Sequence, residues 1–260
     1  MFAVFHTQSD ITMERWSNRV AVVTGASSGI GVAVAKDLLK ANLIVVGLAP
    51  LIERMETYKA ELPAEQQQRF HVFACDVASK ESVDKAFDWI INKLGGVGIL
   101  VNNAGIFKAG QACTINLSDL EQTLQVNVMG VVYATQRVFK SMKERDVDGH
   151  VVIVNSVRGH SVPLPVIPGP SIVNVYPASK YAITALTEVY RQEFKGLDTK
   201  IKVTSISPGL TDMEIMPEKY RSFGLVMLKL EDVSSCIMFT LSTPPRMQIH
   251  ELIVKPAGGE

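Results

Sequence analysis

Two residues four positions apart, Tyr176 and Lys180 in the run Tyr-Pro-Ala-Ser-Lys, have the types and spacing to move a proton to or from an oxygen. A phenol ionises near pH 10, too high for acid/base work at neutral pH unless its anion is stabilised. Residues i and i+4 share one side of a helix, so the Lys180 ammonium can lie beneath the phenol and lower its pKa. Far upstream, Thr24-Gly-Ala-Ser-Ser-Gly-Ile-Gly31 is a glycine-rich turn. A proton-transfer pair combined with a turn that admits a pyrophosphate points to redox chemistry at a nicotinamide.

Other groups could complete such a site. Gly25, Gly29 and Gly31 are spaced Gly-x-x-x-Gly-x-Gly rather than the commoner Gly-x-Gly-x-x-Gly, so their weight comes from lying between the first strand and the first helix. A plain tight turn is the competing reading. Asn102-Asn-Ala-Gly105 follows the fourth expected strand, at the edge where a doubly wound sheet binds ligands, although a simple turn would also account for it. Asn127 falls in mid-helix between Val126 and Val128, where asparagine is a poor helix former, and this favours a functional or helix-kinking role over a solvent-facing one. Ser156 ends a strand and can donate a hydrogen bond to a substrate oxygen; Ser161 and Ser171 compete in the same loop, and position relative to the strand favours Ser156. Ser156 with His160 also invites a hydrolase reading, but Val-Asn-Ser-Val-Arg contains no Gly-x-Ser-x-Gly elbow, and His150 adds nothing to it.

The elements that must position these groups alternate strand and helix, the pattern of a parallel sheet covered by helices. Arg19 to Thr24 reads as the first strand, Val32 to Ala41 as a helix and Leu43 to Gly47 as the second strand. Phe70 to Cys75 and Gly98 to Asn102 follow as strands around the helix Ser79 to Lys93. One long helix, Leu117 to Arg145, leads to the strand Gly149 to Asn155. A second, Tyr176 to Leu197, leads to Lys202 to Ile206, and Glu251 to Val254 reads as a last edge strand. Pro163 to Pro170, with four prolines, must be a loop, and the methionine-bearing stretch Leu210 to Leu230 reads as a small substrate lid. Residues 1–14 are expected to be a flexible tail, with Met13 as an alternative start, and 15–260 a single domain.

The 260 residues are 47% hydrophobic, enough for one large core, and 26 basic residues balance 26 acidic ones. That balance excludes a net positive field for nucleic acid or anionic membrane and leaves a small ligand as the expected partner. No apolar run is long enough for a membrane span, and no signal peptide is apparent. Cys75, Cys113 and Cys236 form neither a metal pattern nor an even disulfide set, which fits a reducing, cytoplasmic setting; no metal is expected.

In order, the glycine turn, Asn102-Asn-Ala-Gly105, Asn127, Ser156, Tyr176-x-x-x-Lys180 and Pro208-Gly209 resemble the short-chain dehydrogenase/reductase family over about residues 15 to 257. More narrowly, Val-Tyr-Pro-Ala-Ser-Lys-Tyr-Ala and Gln248-Ile-His-Glu251 are similar to its branch of insect farnesol dehydrogenases and vertebrate member eleven. The resemblance implies an α/β fold: a Rossmann-type, doubly wound parallel sheet in three layers and a single domain. It implies Tyr176 as the general acid/base, with Lys180 lowering its pKa and touching the nicotinamide ribose. Ser156 would orient the substrate oxygen, and Asn127 would hold a water of the proton relay. The cofactor, NADP with NAD as the other possibility, would lie on Gly25, Ser27, Ser28, Gly29, Ile30 and Gly31. Asp76 would flank the adenine and Asn103 its ribose, while Val77, Ala104, Gly105, Pro208, Gly209 and Thr211 complete the cofactor site with Tyr176 and Lys180. The substrate would be an apolar alcohol or carbonyl compound, a farnesol-like terpenoid alcohol or a steroid, and the protein a homodimer or homotetramer.

Three departures stand against that pattern. After the second strand the chain reads Gly47-Leu-Ala-Pro50-Leu51, with neither the family's arginines for a 2′-phosphate nor an acid for ribose hydroxyls. Arg54 could reach across in their place, but on the next helix it is expected to face solvent. Gly98 replaces a usual aspartate, which is expected to weaken adenine positioning, and Met213 replaces a usual threonine. Two functions follow: an apolar-alcohol dehydrogenase, or a catalytically weakened cofactor-binding or sensing protein. Turnover of any alcohol separates them.

Overall fold

β1 (Val20–Thr24) is buried along its whole length, and its Val-Ala-Val-Val-Thr sequence is what a strand covered on both faces requires. The computed structural model describes residues 11–162, 169–214 and 224–258. From β1 the chain runs through α1 (Gly29–Lys40), β2 (Ile44–Ala49), α2 (Ile52–Ala60), α3 (Ala64–Arg69) and β3 (Phe70–Ala74). It then passes through α4 (Lys80–Leu94), β4 (Ile99–Asn102), α5 (Leu117–Leu124), a π-helical turn (Gln125–Met129) and α6 (Gly130–Glu144). β5 (His150–Val154), α7 (Tyr176–Gly196), β6 (Lys202–Pro208), α8 (Leu230–Ser242) and β7 (Glu251–Val254) complete it.

The strands form one seven-stranded sheet in the order β3-β2-β1-β4-β5-β6-β7, and every pairing is parallel. The chain winds outward from β1 to β3 and then returns to lay β4 against β1, Val22 pairing with both Val46 and Leu100. That reversal opens a crevice beyond the carboxyl ends of β1 and β4, the usual ligand site of such sheets. Side chains alternate faces along each strand. Ala21, Val23, Val152 and Val154 join α1 and α8 in one core, while Val20, Val22, Val151 and Ile153 join α4, α6 and α7 in the other. The result is three layers in a single domain.

Several boundaries differ from the sequence reading. β6 continues through Ser207 to Pro208, because the last residue of a parallel strand can forgo its N–H. The expected long helix is two helices joined by the π-helical turn that carries Asn127, so one residue is inserted into the ladder there. Within the expected tail, the Thr12 N–H donates to Ser242 O at 3.0 Å and Met13 packs on the core, so contact with the domain starts before residue 15. Residues 1–10, most of the Pro163–Pro170 loop and the centre of the Leu210–Leu230 segment lie outside the described residues.

Candidate active site

The glycine turn has the shape its sequence demands. Gly25 and Gly29 hold φ of +66° and +56°, which side-chain-bearing residues rarely adopt, and a Cβ on Gly25 would sit 2.8 Å from Ala104 Cα. A Cβ on Gly31 would come within 2.3 Å of Gly25 O. Ser28 caps α1 with no side-chain hydrogen bond, so the first N–H groups of the helix have no partner from the cap side chain. Ser27, Ser28 and Gly29 line an open cleft there, with buried Ile30 behind them. This glycine cradle at the start of a helix fits the pyrophosphate of a dinucleotide.

A second loop is tied to that turn. Thr24 Oγ1 accepts from the N–H groups of Asn103 and Ala104, each at 3.0 Å. The Asn103 amide in turn donates to Thr24 O at 3.0 Å and Gly25 O at 3.2 Å. The Asn103 side chain thus braces the turn, an arrangement that its sequence position alone did not disclose. Asp76 is exposed at the end of β3 and accepts from Ala78 N at 2.9 Å, and Val77 is buried against Gly130.

Asn127 is 1% exposed and fully engaged. Its Oδ1 accepts from Ile106 N at 2.8 Å, and its Nδ2 donates to Ile106 O at 3.0 Å and Ser179 Oγ at 3.2 Å. Ser179 Oγ donates onward to Tyr176 O at 2.7 Å. The π-helical turn therefore locks the loop after β4, including Gly105 beside Asn127, to the first turn of α7.

Ser156, Tyr176 and Lys180 come together at the carboxyl edge of β5. Val157–Gly159 forms a tight turn, capped by Ser156 Oγ accepting from Arg158 N at 3.1 Å. α7 presses on that turn so closely that a Cβ on Gly159 would lie 2.8 Å from Lys180 O. Tyr176 opens α7, with Phe107 edge-on at 5.4 Å. Burial pushes the Tyr176 phenol above its ordinary pKa, while the Ser156 hydroxyl and the Arg158 guanidinium pull it back down. Lys180, 6% exposed, donates to Val154 O at 3.1 Å with Nζ 5.8 Å from the Tyr176 ring centre. Burial drops its pKa to about 8. A second charge acting on the phenol, beside the ammonium of Lys180 under its ring, is that of Arg158, which the sequence reading did not single out; its place two residues after Ser156 was the available signal.

His160 does not serve Ser156. Its Nε2 lies 2.8 Å from Glu251 Oε1 and 3.1 Å from Ser207 Oγ, so its ring is held by those two side chains instead of by Ser156. His150 is buried, bonded to Thr204 Oγ1 at 2.8 Å, and burial holds its pKa down to about 3. Ser161 and Ser171 are both exposed.

After β6, Pro208 is buried and Gly209 N donates to Val254 O at 2.7 Å. Thr211, 1% exposed, donates to Gly209 O at 3.0 Å. Met213 reaches back over the glycine turn, its Cγ 3.9 Å from where a Gly29 Cβ would stand. Arg54 is exposed, as expected, and its Nη1 also pairs with Glu214 Oε2 at 2.8 Å, across from Ser27 and Ser28 in the same cleft. One expectation is corrected. Gly98 lies at the amino end of β4, its N–H on Val20 O at 2.8 Å, and a Cβ there would stand beside Arg19, so the missing carboxylate would point away from the ligand edge.

The fold and these motifs define a class, and comparison with known proteins agrees. The family model for short chain dehydrogenase matches residues 19–222, and the chain belongs to the short-chain dehydrogenase/reductase family of oxidoreductases. Among curated relatives, the farnesol dehydrogenase of Aedes aegypti is 49% identical over 95% of this chain and 99% of its own. The human dehydrogenase/reductase SDR family member 11 is 38% identical over 94% of this chain and 96% of its own. Among solved structures, the closed form of serine dehydrogenase complexed with NADP+ superposes with a TM-score of 0.79 at 26% identity, covering 90% of this chain and 93% of that one. An alcohol dehydrogenase from Thermococcus sibiricus complexed with 5-hydroxy-NADP shares the fold at a TM-score of 0.77 and 23% identity, over 90% of this chain and 95% of its own.

Proposed function

We propose that this protein is a nicotinamide-dependent dehydrogenase/reductase that interconverts an apolar alcohol and its carbonyl compound, with a farnesol-like terpenoid alcohol as the favoured substrate class and NADP as the favoured cofactor. The observation that carries the reading is the convergence of Ser156 and Arg158 on the Tyr176 phenol, with the Lys180 ammonium under its ring. The identity to a farnesol dehydrogenase supports the substrate class.

In alcohol oxidation the Tyr176 phenolate takes the hydroxyl proton as the C–H bond gives up its hydride, leaving a carbonyl compound and a neutral phenol. The nicotinamide, when bound, is the hydride acceptor. In reduction Tyr176 returns the proton. Ser156 Oγ–H donates to the substrate oxygen, and Arg158 favours the phenolate electrostatically. Lys180 supplies positive charge below Tyr176, and Asn127 fixes the loop at Ile106 and, through Ser179, the first turn of α7. The turn of Gly25, Ser27, Ser28, Gly29, Ile30 and Gly31 holds the pyrophosphate. Asp76, Val77, Asn103, Ala104 and Gly105 border the adenosine half of the cofactor, and Pro208, Gly209 and Thr211 the nicotinamide half.

Exposed apolar side chains on the outer helices, Leu117 and Leu124 of α5 with Tyr181 and Val189 of α7, support a homodimer or homotetramer, which sedimentation would measure. Three unpaired cysteines support a cytoplasmic setting.

The test is nicotinamide absorbance during turnover of farnesol and a panel of apolar alcohols, with NADP+ and NAD+ in parallel. Turnover should fall by about 10²–10⁴-fold in Tyr176→Phe with dinucleotide binding retained. Full turnover in that variant would sink the assignment. Binding without turnover of any alcohol would favour a cofactor-sensing protein.

A further inference from the structure

The cofactor cleft has an unusual charge arrangement where a dinucleotide's adenosine end would lie. β2 ends in Ala49 followed by Pro50 and Leu51, so the strand end offers neither the acid that binds free ribose hydroxyls nor a base that binds a phosphate. A cation reaches the cleft from elsewhere. Arg54, in the first turn of α2, lines it together with Ser27, Ser28 and Gly29 of the glycine turn and Lys36 of α1. The Arg54 guanidinium is occupied by Glu214, Nη1 to Oε2 at 2.8 Å, from the segment after β6 whose neighbour Met213 touches the turn. Glu231 also lines the cleft, so Lys36 and Arg54 face two carboxylates and the local charge cancels.

We infer that Arg54 is the residue that selects a 2′-phosphorylated dinucleotide, and that Glu214 competes with the 2′-phosphate for it. This rests on the reading of the glycine turn as a nicotinamide dinucleotide site. The two partners are 53% and 68% exposed, and such ion pairs are weakly held, so a better anion displaces the carboxylate readily. A phosphate monoester is that anion, carrying close to two charges and three acceptor oxygens that suit the fork of a guanidinium. Releasing Glu214 leaves the cleft with one net positive charge, which the negative charge of a 2′-phosphate more than offsets and a neutral ribose hydroxyl does not. Arg54 thereby supplies from α2 what the strand end lacks, and Glu214 sets how strongly the phosphate is held.

The experiment is calorimetric titration of the full chain with NADP+, NAD+ and 2′,5′-ADP. Wild type should bind NADP+ more tightly than NAD+. Arg54→Ala should weaken NADP+ and 2′,5′-ADP by about tenfold to a hundredfold while NAD+ stays within about twofold. Glu214→Gln should do the opposite, tightening NADP+ and 2′,5′-ADP by about threefold to tenfold with NAD+ unchanged, and the gain should vanish in the double variant. Both positions are exposed, so melting curves should match wild type. Equal losses for both dinucleotides in Arg54→Ala, or none, would overturn the assignment, as would a wild-type preference for NAD+. If wild type bound neither dinucleotide, the underlying nicotinamide reading would fall and this one with it, a result distinct from binding both without discrimination.

Discussion

The side-chain amide of Asn127 closes on both polar groups of Ile106, accepting from its N–H at 2.8 Å and donating to its C=O at 3.0 Å. A π-helical turn aims the amide there, and its spare N–H holds Ser179. Asn127→Ala leaves the N–H and C=O of Ile106 without these partners in a partly buried loop, and should lower stability by about 2 kcal/mol in urea denaturation. Asn127→Asp should not rescue it, because a carboxylate has no N–H for Ile106 O or Ser179 Oγ. Equal stability of the wild type and both variants would mean that the clamp contributes nothing.

Arg158 should be visible in the pH dependence of turnover. Its guanidinium lowers the Tyr176 pKa against the rise caused by burial, so Arg158→Gln removes a stabiliser of the phenolate and the pKa rises. For alcohol oxidation, the limb of the kcat/KM profile on which the rate rises with pH should move to higher pH. Below the plateau the rate should fall several-fold, with recovery at the alkaline plateau. A uniform loss at every pH would instead indicate misplaced substrate.

How much of this was legible in the sequence follows from what each residue answers to. Strands covered on both faces must be apolar throughout, so Val151-Val-Ile-Val154 announced β5, and the groups at strand ends, such as Ser156, could be placed with it. Tyr176 and Lys180 share one helix, where spacing is geometry. The π-helical turn was hidden because one extra residue barely disturbs the apolar spacing of α5 and α6. The Arg54–Glu214 pair joins residues 160 positions apart, and the Asn103 amide turns back onto carbonyls of another loop. Neither contact has a local pattern. Gly98 was misjudged for a related reason: the sequence reading tied it to adenine positioning, while the paired strands put it at the end of β4 away from the ligand edge.

Lys180 should leave a signature in stability against pH. Its folded pKa is lowered by burial to about 8, below the unfolded value of 10.5, so between these limits the unfolded chain binds more protons and stability rises with pH. Below about pH 8 both states are protonated, and the penalty for burying the ammonium is fully present and constant. Lys180→Met lacks this group, so the stability of wild type minus that of the variant should be flat up to pH 8. It should then climb towards pH 10 by at most about 1.4 kcal/mol per pH unit. Urea denaturation of both proteins across pH 6 to 10 measures the difference, in which other groups cancel. A flat difference throughout would mean that Lys180 is solvated in the folded protein.

Two glycines test whether position relative to the ligand edge governs tolerance. At Gly31 a Cβ would stand 2.3 Å from Gly25 O and 2.7 Å from Asn103 Nδ2, where backbone and a braced amide cannot withdraw. Gly31→Ala should lower stability by about 1–3 kcal/mol through overpacking and abolish dinucleotide binding by deforming the turn. At Gly98 the nearest atoms to a Cβ are Arg19 Cβ and Val20 O, both at 3.5 Å, an ordinary contact. Gly98→Asp should therefore fold, with its carboxylate near Arg19, and bind dinucleotide with unchanged affinity from the opposite end of β4. A gain in affinity in Gly98→Asp would show that the amino end of β4 communicates with the cofactor turn; without that link, only Gly31→Ala should change binding.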